Sequence, residues 1–191
     1  MQTTENKLFF SSDLHFGHRN ILKYCNRPFK DLEEMEEKLI ENHNKVVSKK
    51  DTIYLLGDIS FTSNTKTRAI LDKMNGKKHW ILGNHDLRRK PIYDMFETVN
   101  HYLELKKEKI ILFHYPIASW NGMARGTIHL HGHSHGNLSP IYDRNGKEVV
   151  MRKMDVGVDC TDYKPIGLDE VIEHFKDIDI VSMDHHYKGS E

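Results

Sequence analysis

Cysteine is nearly absent. Cys25 and Cys160 are the two in 191 residues, far apart and in no CxxC pair. That argues against a disulfide framework and against a thiolate zinc site, and both read as ordinary buried or half-buried thiols. No apolar run approaches the ~20 residues that a membrane span needs. The first residues, MQTTENKLFF, carry no apolar core of a signal peptide, so a cytoplasmic protein is the expectation. Net charge is missing too: Lys+Arg and Asp+Glu are both 28. Such balance argues against a strongly basic nucleic-acid binder, although it permits a local basic patch. No Pro-, Gly- or Ser-rich linker, repeat or low-complexity segment divides the chain. With 38% hydrophobic and 29% charged residues, a single globular domain over residues 1–191 is expected, at the usual ~100–200 residues per domain.

Histidine is plentiful, at 14. It is the commonest metal ligand and titrates near neutrality. Four of the histidines fall in HLHGHSHG, residues 129–136, which reads either as a metal site or as a chance cluster in a loop.

Short apolar runs alternate with helical patterns. KLFFS (7–11), IYLL (53–56), HWIL (79–82), ILF (111–113) and IHL (128–130) read as strands, and MDVGVDC (154–160) as another. Residues 31–47 have helical periodicity, with Asp31 as N-cap and Glu34 completing a capping box. Residues 64–75 read as a helix stopped by Asn75-Gly76, and 167–175 as a helix with Asp169 near its start. Alternating strands and helices indicate an α/β fold. Five strand-like runs end in polar clusters: Asp13-Leu14-His15, Gly57-Asp58, Gly83-Asn84-His85-Asp86, His114 and Gly132-His133-Ser134-His135. In α/β sheets ligands sit at the carboxyl ends of strands, so the clusters are expected to converge. Singly each is weak. Asp, Asn and Gly suit turns, and a lone His is commonly a core residue. His133 and His135 are the more telling pair, because positions i and i+2 of an extended segment point the same way.

Taken in order, the clusters D-x-H, G-D, G-N-H-D, H and G-H-x-H resemble the calcineurin-like metallophosphoesterase superfamily over about residues 8–136, and to roughly 160 with the VGVD stretch. The resemblance implies a four-layer α-β-β-α sandwich of two mixed sheets flanked by helices, with little room for a cap domain. It implies that Asp13, His15 and His135 hold one divalent ion and Asn84, His114 and His133 a second, with Asp58 bridging. Carboxylate, carboxamide and imidazole donors without thiolate suit Mn²⁺, here favoured, or Fe, Zn²⁺ or Ni²⁺. Two such ions ~3.5–4 Å apart clamp a phosphoryl group and acidify a shared water. The implied reaction is attack on phosphorus by a metal-bridging hydroxide. His85, no ligand itself, serves the leaving oxygen as general acid, oriented by Asp13, Asp58 or Asp86. The alternative for Asp86 is a cap on a following helix. His129 and His131 lie within the strand and are expected to be structural or to support ligands.

The sequence departs from the superfamily's phosphomonoesterases after Asp58. Ile59-Ser60-Phe61 stands where many carry a further Asp-Arg-Gly segment with a phosphate-gripping arginine. That argues against a protein phosphatase and favours a small or cyclic nucleotide-like phosphodiester. A phosphomonoester is the alternative, a nuclease less so, and a non-catalytic metal-binding scaffold the reading of another class. The partner expected is a small phosphoester substrate, with no membrane. The longer first element, SDLHFGHRNIL (12–22), resembles small bacterial and phage phosphoesterases. Here His18 and, less strongly, Arg19 are substrate-contact candidates, as are backbone N–H groups at the helix start. Asn84 is a further contact. Tyr115, Trp120 and Arg125 are expected either to wall the pocket and stack a base or, for the two rings, to be core. Arg88-Arg89 reads as a solvated pair, and the tail with His185-His186 as a frayed terminus.

Overall fold

The computed structural model describes residues 6–86, 90–142 and 145–181. Arg88, Arg89, His185 and His186 lie outside the described residues.

The chain runs β1 (Leu8–Ser11), α1 (Ile21–Tyr24), α2 (Leu32–Val46), β2 (Thr52–Leu55), α3 (Asn64–Lys73), β3 (Lys77–Ile81), β4 (Thr98–Asn100), β5 (Tyr102–Leu105), β6 (Ile110–Phe113), β7 (Ile128–His131), β8 (Lys153–Asp155), β9 (Ile166–Gly167) and α4 (Leu168–Phe175), with 3₁₀ turns at Lys90–Met95, Met123–Arg125 and Val158–Cys160. Two mixed sheets form, in the orders β4-β3-β2-β1-β9 and β5-β6-β7-β8. Among the described strands only β9 and β5 run antiparallel to their neighbours. The carboxyl ends of the parallel strands therefore share one edge in each sheet.

Side-chain alternation sorts the first sheet's residues between its faces. Phe9, Ile53, Leu55 and Trp80 point to the side covered by α2 and α3. Phe10, Tyr54, Leu56 and Ile81 point the other way, against Ile110, Leu112, Ile128 and Leu130 of the second sheet and Val171 and Phe175 of α4. Strands buried on both faces read as continuous apolar runs, which is why IYLL was recognisable without polar alternation. The second sheet's outer face packs Ile111 under Trp120, Met123 and Met151.

The helices show the capping chemistry that places them. Asp31 accepts from the Glu34 N–H at 2.9 Å, but the Glu34 carboxylate reaches back to the Lys30 N–H at 2.7 Å rather than to Asp31. The expected box is thus shifted by one residue. Met35, Leu39 and His43, spaced by four, form the buried stripe of α2. A fully buried Leu or Met of this kind contributes ~1.5–3 kcal/mol. At α3, Ser63 accepts from the Lys66 N–H at 3.3 Å. The turn after α3 needs Gly76, whose φ of +91 is left-handed and whose added Cβ would lie 2.9 Å from Val47 Cγ1.

Residues 154–160 are not one strand. β8 ends at Asp155, and Val158–Cys160 is a 3₁₀ turn. Asp155 stops the strand: its Oδ1 accepts from the Gly157 N–H at 2.8 Å, an Asx-type turn. Gly157 also pairs with Ser12 beyond β1, and the Val158 N–H donates to the Ser12 carbonyl at 3.1 Å. That contact stitches the two sheets together at their carboxyl edge. Among the described residues no helix is long and apolar enough to cross a membrane.

Candidate metal centre

The five polar clusters meet at this stitched edge. Asp13 and His15 follow β1, Asp58 follows β2, Asn84 and His85 follow β3, His114 follows β6, and His133 and His135 follow β7. Among the described residues nine non-glycine positions have positive φ, and five of them are Asp13, His15, Asp58, His133 and His135, at 46–68°. Left-handed backbone at such residues costs of order 1–3 kcal/mol each and clusters at functional sites. Gly57 and Gly132 make the close approach possible. A Cβ on Gly57 would stand 2.5 Å from His114 Nδ1, and one on Gly132 would strike Ser12 Oγ and Asp13 Oδ2.

Asp58 Oδ2 sits 3.8 Å from both His15 Nε2 and His114 Nε2. Asp13 Oδ1 is 3.8 Å from His15 Nε2 and 3.9 Å from His135 Nε2. These gaps are too long for hydrogen bonds. They suit donors that each approach one cation at ~2.0–2.2 Å. Asp13, His15 and His135 form one compact donor group and Asp13, Asp58 and His114 another, with ligand atoms within 4.8 Å of one another. Asp13 Oδ1 and His15 Nε2 are buried with no hydrogen-bond partner among the described residues. Buried polar atoms are normally satisfied, so this pair points to an ion between them.

Tautomers lead to the same place. His114 Nδ1 donates to the Leu56 carbonyl at 2.6 Å, which leaves the Nε2 lone pair 2.9 Å from Asn84 Oδ1. His133 Nδ1 lies 3.1 Å from the same oxygen. A lone pair facing an amide oxygen is unfavourable without positive charge beside it. His135 Nδ1 donates to Asp159 Oδ2 at 2.7 Å, freeing Nε2 for the site. Ligand histidines must be neutral, and burial lowers the pKa of His15 against the pull of Asp13 and Asp58. Burial, then the nearby His114, lowers that of His133. At Asp13 burial acts upward, but the neighbouring imidazoles of His15, His114 and His135 hold the carboxyl below its usual range. His135 differs: burial depresses it, yet the Asp159 bond and the Asp13 charge raise it overall. The donor set therefore fits divalent cations.

This chain belongs to the calcineurin-like phosphoesterase family. The family's model matches residues 7–188, and its members are metal-dependent phosphoric ester hydrolases acting on phosphoesters. An uncharacterized protein of Methanocaldococcus jannaschii is 38% identical over 170 residues, covering 87% of this chain and 90% of that protein. The gene 66 protein of Mycobacterium phage L5 is 28% identical over 185 residues, covering 80% and 86%. The crystal structure of a protein of unknown function from Aquifex aeolicus superposes with a TM-score of 0.68 at 24% identity, over 89% of this chain and all of that one. That likeness shows the shared fold.

Other expected residues are distributed unevenly. The His85 side chain is half exposed, with Nε2 3.9 Å from Asp58 Oδ2. Of the three aspartates considered for it, Asp58 is the one it faces; its backbone N–H also donates to Asp58 Oδ1 at 3.1 Å. Asp86 is 1% exposed and accepts from the Asp58 and Gly83 N–H groups at 2.7 and 2.8 Å and from Trp80 Nε1 at 3.2 Å. It braces the loops after β2 and β3. His18 Nδ1 is 3.0 Å from His15 Nδ1, so one of its nitrogens is already engaged. Phe61 stacks on His15 and His18 and tilts against His85, at centroid distances of 4.8, 4.4 and 4.7 Å. Arg19 is exposed, and α1 has four residues, too few for a helix-end anion site. Tyr115 stands over His133, at 4.7 Å, and is 37% exposed. Trp120 is core, its Nε1 donating to the Thr127 carbonyl at 2.8 Å.

Arg125 is not brought to the centre. With Lys109, Ile110 and Thr127 it lines a hollow beside the amino ends of β6 and β7, the end opposite His114 and His133. The loop Gly122–Thr127, turning on two left-handed glycines, directs it there. His129 and His131 are buried. His129 Nε2 is 3.1 Å from the Tyr115 carbonyl and His131 Nδ1 is 2.9 Å from that of Gly132, so both brace loops that carry ligands. Reasoning from sequence missed Arg27 and Asp159. VGVD was a visible signal for Asp159; nothing marked Arg27.

Proposed function

We propose that the protein is a phosphodiesterase, dependent on two divalent ions, that hydrolyses a small or cyclic nucleotide-like substrate. The observation that carries the reading is Asp58: one of its carboxylate oxygens lies at equal distance from His15 in one donor group and His114 in the other. In this reading Asp13, His15 and His135 hold one ion, Asn84, His114 and His133 the other, and Asp58 bridges them. When bound, the ions, Mn²⁺ favoured, supply an acidified water and offset charge on the non-bridging phosphoryl oxygens.

The remaining chemistry belongs to side chains. His85 is half exposed beside Asp58, placed to give a proton to the leaving oxygen as it departs. Asn84 also touches the substrate. His18, at the Phe61 side of the mouth, keeps Nε2 for a phosphoryl oxygen. Phe61 stacks on His15 of one donor group and Tyr115 packs T-shaped against His133 of the other, which suits a flat organic substituent on the phosphate better than a bare monoester. A non-catalytic scaffold would not need the complete set of donors together with His85. The reading takes residues 1–191 as one cytoplasmic domain without a cap.

The test uses bis-p-nitrophenyl phosphate and p-nitrophenyl phosphate. Metal-free protein should be inactive on both, and Mn²⁺ should restore activity with the diester preferred. Preference for the monoester would replace the diesterase reading by the phosphomonoesterase one. Activity indifferent to chelation would overturn the metal-dependent mechanism.

A further inference from the structure

Arg27 is a buried cation, 4% exposed, between exposed Asn26 and Pro28. A guanidinium has five N–H donors, and all five are engaged. Nε and Nη2 donate to Asp159 Oδ1 and Oδ2, both at 2.8 Å. Nη2 also donates to the Asp13 carbonyl at 2.7 Å. Nη1 donates to the Leu14 carbonyl at 3.0 Å and contacts Met35 Sδ at 3.5 Å. Apolar replacement of a buried ion pair is often neutral or stabilising, so fold stability alone is a weak reason for this one. Its contacts give a better reason. Asp13 and Leu14 are the backbone that presents Asp13 and His15, both in left-handed conformations. Asp159 is the carboxylate that holds His135 by Nδ1. One fork thus grips the segments bearing Asp13, His15 and His135, which come from strand ends 120 or more residues apart in sequence. His114 is instead oriented by the Leu56 carbonyl, and Asn84 and His133 have no hydrogen bond to Arg27 or Asp159.

We propose that the Arg27–Asp159 pair is a positioning device for one of the two metal positions, that of Asp13, His15 and His135, and sets its affinity separately from the other. The inference rests on the two-ion reading above. Cys25 also lies within reach of His135 and Asp159, but the trio is no third position. Both Asp159 oxygens already face the guanidinium, and burial together with the Asp159 charge pushes the Cys25 thiol up to about 11.

Asp159→Asn probes the pair with little change of shape. The amide has one acceptor where the carboxylate serves Arg27 twice and His135 once. If its NH₂ faces His135, the ring must present Nδ1 as an acceptor and carry its proton on Nε2, the nitrogen the ion needs. Arg27→Lys keeps the charge and removes the fork. Metal-free full-length wild type, Asp159→Asn and Arg27→Lys are titrated with Mn²⁺, free ion is followed by electron paramagnetic resonance, and folding is checked by circular dichroism. Wild type should take up two ions per chain. Each folded variant should keep one ion at wild-type affinity and bind the other ~10–100-fold more weakly, the usual effect of losing a partner of a ligating histidine. Equal weakening of both ions, or of neither, overturns the inference. Fewer than two ions in wild type overturns the two-ion reading instead. Imidazole ¹⁵N–¹H spectra of the unaltered protein give a second measurement independent of either variant: His135 carrying a proton on Nδ1 is expected, and a ring protonated on Nε2 alone would also overturn it.

Discussion

Replacing Asp86 with alanine should unfold the centre's scaffold before it touches the chemistry. Asp86 is 1% exposed. Its Oδ2 accepts from the backbone N–H groups of Asp58 and Gly83 and from Trp80 Nε1, and its Oδ1 from the Ile59 N–H at 3.4 Å. Alanine leaves three well-formed donors buried without an acceptor, plus one long one. Taking about 1–2 kcal/mol per donor, within the ~1–3 kcal/mol that a buried unsatisfied donor costs, the loss should be roughly 3–6 kcal/mol. At ~2–4 °C per kcal/mol for a chain of this size, Tm should fall on the order of 10–20 °C. Asp86→Asn should be far milder, about 1–2 kcal/mol, because the amide oxygen can keep the threefold position and only the long Ile59 contact meets the NH₂ group. The charge itself contributes little: burial, then the neighbouring Asp58, already raises the Asp86 carboxyl above its ordinary value. The assay is thermal and urea unfolding of both variants in chelator, so that metal binding does not enter. An alanine variant within about 1 kcal/mol of wild type, or an asparagine variant as damaged as alanine, would refute this account of the hydrogen bonds.

Three further outcomes are expected. His85→Ala should lower turnover ~10²–10⁴-fold, the usual range for a general acid, while metal content by elemental analysis stays at two ions per chain; loss of metal would make His85 a ligand. Phe61→Ala should lower turnover by up to ~10²-fold through a displaced His85, with Mn²⁺ affinity within about threefold of wild type in the same titration. His43, buried in α2 with Nε2 on the Asn75 carbonyl, is pushed down to about 4 by burial, against that bond and aided by Lys78. Its folded value lies below the unfolded ~6.5, so its contribution is present above pH 6.5 and is lost as pH falls toward 4. Metal-free wild type should therefore lose roughly 2 kcal/mol more than His43→Gln between pH 7 and pH 5, read from urea midpoints; equal losses would contradict the assignment.

What could be read in advance follows from the physics of each element. β1, β2, β3, β6 and β7 are apolar on both faces or end in unmistakable polar clusters, and α2 and α4 carry helical periodicity. β4, β5 and β9 escaped because they are short and half exposed; their pairing is decided by neighbours distant in sequence. The expected strand 154–160 failed because Asp155 turns its own backbone. At the centre, ligand residues announce themselves by type and order. Arg27 does not: a buried arginine and a surface one look alike in sequence, and its partner Asp159 is 132 residues away. Arg125 was misplaced for the complementary reason, since a loop's direction depends on turns such as those at Gly122 and Gly126 that composition does not orient.

The most direct test of the account is anomalous diffraction from crystals grown with Mn²⁺. Two peaks ~3.5–4 Å apart, with Asp58 ligating both and His15 and His114 on different ions, are the predicted result. A single peak, or Asp58 turned away from the metal, would contradict it.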